Sequence, residues 1–140
     1  MQYARIVTDF WGSKTCGEIS EGGDSITQLV ALYLLCNSHA NLTGVYYLPI
    51  GYICEDIGTI DFNEAKGAID KLVRVGYCCY DYNKKIVWVK KMLYYQVGEK
   101  TKLGDNQSKC IKKHIDRFLS HDLEFMGEFL NQYSTSHNIV

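Results

Sequence analysis

The sequence predicts an α+β fold, mainly α: a helical core with a small antiparallel sheet, followed by two further helices. Three observations predict it. Residues 62–75 place Ala65, Ala68, Ile69, Leu72 and Val75 on one face at the helical period, and Gly76 stops the helix. Directly after it, YCCYDY and IVWVK alternate well enough for a half-buried hairpin around a turn at residues 81–85. Upstream, a short helix carrying Ile50, Ile53, Cys54 and Ile57 ends at Gly58. The four residues GTID then lead into the next helix, which is helix-turn-helix spacing. A three-helix core with a small antiparallel β-wing is a winged helix-turn-helix.

The remaining elements follow in order. Residues 1–12 read as an arm whose Ile6, Val7, Phe10 and Trp11 cap the core, and EGGD at 21–24 is a loop. A helix over 25–38 opens with Ser25 and Gln28 at capping-box spacing. Its Ile26, Leu29, Val30 and Tyr33 follow the helical period, and Leu32, Leu34 and Leu35 fill most of the rest. A helix this apolar all round is the buried strut of the domain. Val45 to Leu48 are β-prone and offer the hairpin a third strand, and Pro49 suits the first turn of the next helix. Asp61 and Glu64 repeat the capping-box spacing. Residues 92–96 pack back on the core. The chain therefore divides into a winged-helix domain with its arm at 1–97, a linker at 98–108, a C-terminal helical pair at 109–133 and a loose tail at 134–140.

Composition narrows the class. The chain has 140 residues, 46% hydrophobic, enough for a single core. Its longest apolar run, residues 29–36, is far short of the ~20 that a membrane helix needs. No signal-peptide pattern opens the sequence, so a cytoplasmic location is expected. The six cysteines include no CxxC pair and none at zinc spacing to a histidine. They read as reduced small hydrophobes, with Cys36, Cys54 and Cys79 at apolar positions. HExxH, P-loop and nucleophile-elbow patterns are absent. His39, His114, His121 and His137 fall in loops or on polar faces. Neither catalysis nor a metal or cofactor is expected.

Net charge is only −1, yet it is unevenly spread. Residues 84–117 carry +7 and the remainder −8, which reads either as one basic side meeting an anionic partner or as a solvated face. In the first reading, Asn63, Lys66, Gly67, Asp70 and Arg74 form an outward stripe on the second helix of the helix-turn-helix, the one that enters a major groove. Asn63 suits adenine and Lys66 guanine. Gly67 admits close approach at ~1 kcal/mol of helix propensity. Thr59 and Lys71 border the stripe. Glu64 and Asp70 repel phosphate unless paired with Lys66, Lys71 or Arg74. Lys84 and Lys85 at the wing tip and Lys90 and Lys91 at its base are phosphate-type contacts. Lys109, Lys112, Lys113 and Arg117 make a basic helical face that either extends the footprint or is simply solvated.

The pieces ALYLLCNSHANLTGVYYLP, IDFNEAKGAIDKLVRVGYCCYDYNKKIVWVKKM, the YYQ after it and LEFMGEFLNQYSTSHNI carry a resemblance. Over residues 10–96 and again at 123–139, their order resembles the N-terminal winged-helix domain of phage and prophage replication-initiation proteins, the replisome organisers and DnaD-like proteins. The shared features are hydrophobic spacing and a GxY/LP element. The resemblance implies double-stranded DNA at a phage origin as partner, with recruitment of the host replicative helicase or its loader. Such proteins often carry a further C-terminal domain, which is not read in these residues. Two other readings share the fold: a scaffold that homo-oligomerises through the first helix and the added strand without touching DNA, and a winged-helix transcription regulator.

Overall fold

The structure is a computed structural model and describes residues 1–22 and 24–139. It is mostly helical with one small antiparallel sheet. After a 3-10 turn at Thr8–Phe10 come α1 (Lys14–Glu21), α2 (Ser25–Cys36), β1 (Val45–Tyr47), α3 (Ile50–Ile57) and α4 (Phe62–Arg74). Then follow β2 (Cys78–Asp81), β3 (Ile86–Val89), α5 (Met92–Val97), α6 (Asn106–Leu119) and α7 (Met126–Tyr133).

The sheet order is β1-β3-β2, both pairings antiparallel, so the expected third strand joins on the β3 side. The register sets Val45 and Cys79 opposite Trp88, and Tyr46 and Tyr80 opposite Val87. Successive strand residues point to opposite faces. One face therefore holds Tyr46, Val87, Val89 and Cys78, which pack on α2, α3 and α4 through Val30, Leu34, Ile53, Ala65, Ile69 and Leu72. The other holds Val45, Ile86 and Trp88, which pack on α6 and α7 through Ile111, Ile115, Phe125 and Phe129. All four β3 residues are buried, so this strand is covered on both sides, whereas β2 buries only Cys78 fully and is half-buried as expected. The physical reason is Trp88 and its neighbours: an apolar second face has to be covered, and the C-terminal helices cover it.

Local chemistry explains the joints. Asp61 and Glu64 form the capping box that opens α4. Gly58 ends α3 at φ 77°, a left-handed position that suits glycine. The α2 cap is Asp24 and not Ser25: its carboxylate accepts from the Thr27 amide and from the Thr27 hydroxyl. Gly44 at φ 78° has no room for a side chain, because a Cβ there would lie 2.6 Å from the Val89 carbonyl and 2.6 Å from the Met92 Cβ. Tyr46 and Tyr77 send their hydroxyls to the Leu34 and Ala31 carbonyls, tying sheet to strut.

Several segments differ from expectation. Helix α1, capped by Ser13, fills part of the stretch between arm and loop. In the arm, Phe10 is buried but Trp11 is exposed with its ring edge against Phe10. Gln96 clasps the arm by two bonds to the Arg5 backbone, 2.7 and 2.9 Å. Residues 92–97 are a helix. The expected linker is shorter, since Asp105 caps α6 by accepting from the Ser108 amide. The expected loose tail is packed: His137 is buried, with its Nε2 2.8 Å from the Gly98 carbonyl, and Asn138 donates to the Thr101 carbonyl. Ile139 joins the second core. Gly23 of the expected 21–24 loop and Val140 of the tail lie outside the described residues. All six cysteines are free thiols; Cys16 and Cys78 are the buried ones, whereas Cys36 is exposed. Among the described residues no helix is long and apolar enough to cross a membrane.

Candidate nucleic-acid interface

Helix α4 positions the central candidates. Its Ala65, Ala68, Ile69 and Leu72 are buried, which turns Asn63, Lys66, Gly67, Asp70 and Arg74 outward. A Cβ added at Gly67 would meet nothing within 4 Å, so the N-terminal half of this face is open. Thr59 is exposed in the turn before the helix. The helix N-terminus supplies a partial positive charge here, opposed by Asp61 and Glu64 of the cap.

The hairpin turn is fastened to this face. Tyr82 donates its hydroxyl to Asp70, Lys66 bonds the same carboxylate at 3.0 Å, and the Lys66 ammonium stands 5.0 Å from the centre of the Tyr82 ring. The Tyr82 hydrogen bond, with help from Lys66, holds the Asp70 carboxyl below its usual range against the opposing effect of burial. Lys66 is thereby paired within the fold, and Asp70 organises the face as well as repelling phosphate from it. At the turn, Asp81 accepts from the Lys84 amide, and Lys85 adopts φ 57°.

The expected cations separate into groups. Lys71 is exposed, as expected, but its ammonium is paired with Asp24 at the start of α2. Lys84 Nζ donates to the Asp122 carbonyl at 2.9 Å, and Lys90 pairs with Glu128 at 3.0 Å. Lys91 lines a hollow with Phe10, Tyr95 and Gln132. It lies beyond the opposite end of β3 from Lys85. Lys85 and Arg74 are exposed and form no ion pair among the described residues. Between the turn, Val73 near the end of α4 and the segment before α7, a groove of about 740 Å³ is lined by Asp81, Asp122, Glu124 and Glu128 around Lys84. That groove repels a phosphate backbone.

Lys109, Lys112, Lys113 and Arg117 are exposed on α6. This helix packs on the sheet face opposite α4, so the two basic surfaces cannot join into one continuous footprint. The sequence could not show this, because it depends on which sheet face each helix covers. Among the described residues no three His, Cys, Asp or Glu side chains gather as metal ligands.

Comparison with known proteins finds no matching family model, no similar curated protein and no similar solved structure.

Proposed function

We propose that the chain is a duplex-DNA-binding module of winged helix-turn-helix type, with α4 as the helix that enters the major groove and the 82–85 turn as a short wing. The observation that carries this reading is the open N-terminal half of α4, where Asn63, Lys66 and Gly67 face out from a helix capped and fixed by its buried side. Asn63 and Lys66 supply base-edge chemistry, and Arg74 and Lys85 supply phosphate contacts. The resemblance to phage replication-initiation proteins makes origin DNA the natural target and a replicative helicase or its loader a further partner. The test is duplex affinity after reversing the partly buried Lys66 and the exposed Arg74, Lys66→Glu with Arg74→Glu. At least a tenfold loss is expected, about 1.4 kcal/mol or more; unchanged affinity removes α4 as the docking element.

A second reading is favoured by a different feature. Phe62 and Val73 on α4 are 56% and 40% exposed, and Leu29 on α2 is 44% exposed. Together with the Lys66–Asp70 ion pair they suit a protein contact, including a second copy of this chain. Sedimentation of the wild type and of Phe62→Ser separates the two: a dimer lost on substitution, with no duplex affinity at low salt, supports the scaffold.

A further inference from the structure

The β1 edge meets the C-terminal half of α6. A groove of about 410 Å³ there is lined by His39, Tyr47, Tyr52, His114, Arg117 and Phe118. Tyr47 is 49% exposed and Tyr52 36% exposed. Both are tyrosines that the core does not absorb. The rings are arranged as a connected shelf: His39 and Tyr52 lie 4.7 Å apart with planes tilted by 34°, and Tyr47 meets Tyr52 edge-on at 6.1 Å.

The shelf is built rather than floppy. Asn37 accepts from the His39 amide and Asn41 accepts from the Thr43 amide, both at 2.9 Å, which fixes the loop that carries His39. Asp56 accepts from the Tyr33 hydroxyl at 2.6 Å and stands 4.0 Å from His39, bracing the ring from behind.

Cations lead up to it. Lys109, Lys113 and Arg117 are spaced i, i+4, i+8 and so line one side of α6, with about 6 Å of helix rise between successive members. None of the three enters an ion pair among the described residues. Asp116, i+3 from Lys113 and i+7 from Lys109, shares this side of α6 and offsets part of the charge, and Asp56 stands beside His39. The positive field is felt locally: burial, then Arg117, the N-terminal amine and Lys113, hold the His114 pKa down.

From this geometry we propose that the β1–α6 groove is a separate site for single-stranded nucleic acid, with bases stacking on the Tyr52–Tyr47–His39 shelf and phosphates tracking Arg117, Lys113 and Lys109. Partly exposed aromatic rings beside a row of cations are the chemistry that binds unpaired strands with little regard to sequence. A duplex does not fit this description, because its bases are stacked on one another and unavailable to the rings. The proposal does not depend on α4 reading a duplex.

The experiment uses the full chain and fluorescent oligo(dT) and oligo(rU) of about twelve nucleotides, read by anisotropy from about 50 to about 200 mM salt. Binding of either oligonucleotide that weakens with salt is expected. Lys113→Glu with Arg117→Glu should reduce it at least tenfold. Tyr52→Leu should reduce it roughly tenfold while Tyr52→Phe, which keeps the π-face, restores it. Lys66→Glu with Arg74→Glu should leave it intact. All the substituted residues are at least partly exposed, and circular dichroism checks that each variant is folded. No binding of either strand, unchanged binding in the α6 double variant, or equal binding by Tyr52→Leu and wild type would overturn the proposal.

Discussion

Replacing Phe129 by alanine probes how the molecule is held together. Phe129 is fully buried, with its ring 5.5 Å from Trp88 in the sheet and 5.3 Å from Tyr133 on its own helix. Its loss opens a cavity between α7 and β3. Truncation of a buried phenylalanine costs about 3–5 kcal/mol. For 140 residues, unfolding entropy near the midpoint is about 0.3 kcal/mol/K, so Tm should fall by about 10–17 °C. The assay is thermal unfolding followed both by far-ultraviolet circular dichroism and by tryptophan fluorescence, since Trp88 is buried in the contact and Trp11 is exposed. If the second core is continuous with the sheet, both signals move together in one transition. Two separate transitions, with the larger dichroism change unmoved, would refute the idea that α6 and α7 complete the sheet's packing and would make them a detachable appendage.

Other expectations follow from single residues. Because Lys71, Lys84 and Lys90 are engaged within the fold, duplex binding should neutralise only about two phosphates, through Arg74 and Lys85, giving a log–log salt slope of about −2; a slope of about −4 or steeper in a salt titration would show that the engaged lysines swing free. Gly44→Ala should destabilise by at least about 3 kcal/mol, since strain at φ 78° adds to a collision with the Val89 carbonyl; near-wild-type urea unfolding would contradict the close approach. For Asp24, burial alone would raise the pKa, but hydrogen bonds from Lys71 and Thr27 and the Lys71 charge outweigh it and lower it to about 2. A depressed carboxylate stabilises the fold above its unfolded pKa of about 3.9 and loses that contribution as pH falls toward about 2. After solvent screening this is on the order of 1 kcal/mol, and Lys71→Met should diminish the loss seen between pH 4 and pH 2 in denaturant titrations.

Much of the first core was legible because its signals are local. Gly58, the Asp61–Glu64 spacing and the Ala65/Ile69/Leu72 face fix α3, the turn and α4 within a few residues of one another. The β-prone Val45–Tyr47 run did become the third strand. Helix α1 escaped because KTCGEISE is polar and buries only Cys16 and Ile19. The α2 cap slipped by one because Asp24 and Ser25 are both good caps, and Asp24 wins through its second bond, to the Thr27 hydroxyl. The two-sided burial of the sheet had a readable sign: IVWV is apolar at all four positions, the pattern of a strand covered on both faces. The pairing of the lysines had none. Lys71 meets Asp24 across 47 residues and Lys90 meets Glu128 across 38, so only the tertiary fold brings them together. The same holds for the separation of the α4 and α6 basic faces.

Backbone amide shifts of the isotope-labelled protein, followed as a duplex oligonucleotide is titrated in, test the central claim most directly. The account predicts perturbations concentrated at residues 59–74 and 82–85, with the β1–α6 groove quiet. Perturbations confined to Phe62, Val73 and Leu29 on raising protein concentration, with no response to duplex at low salt, would contradict it.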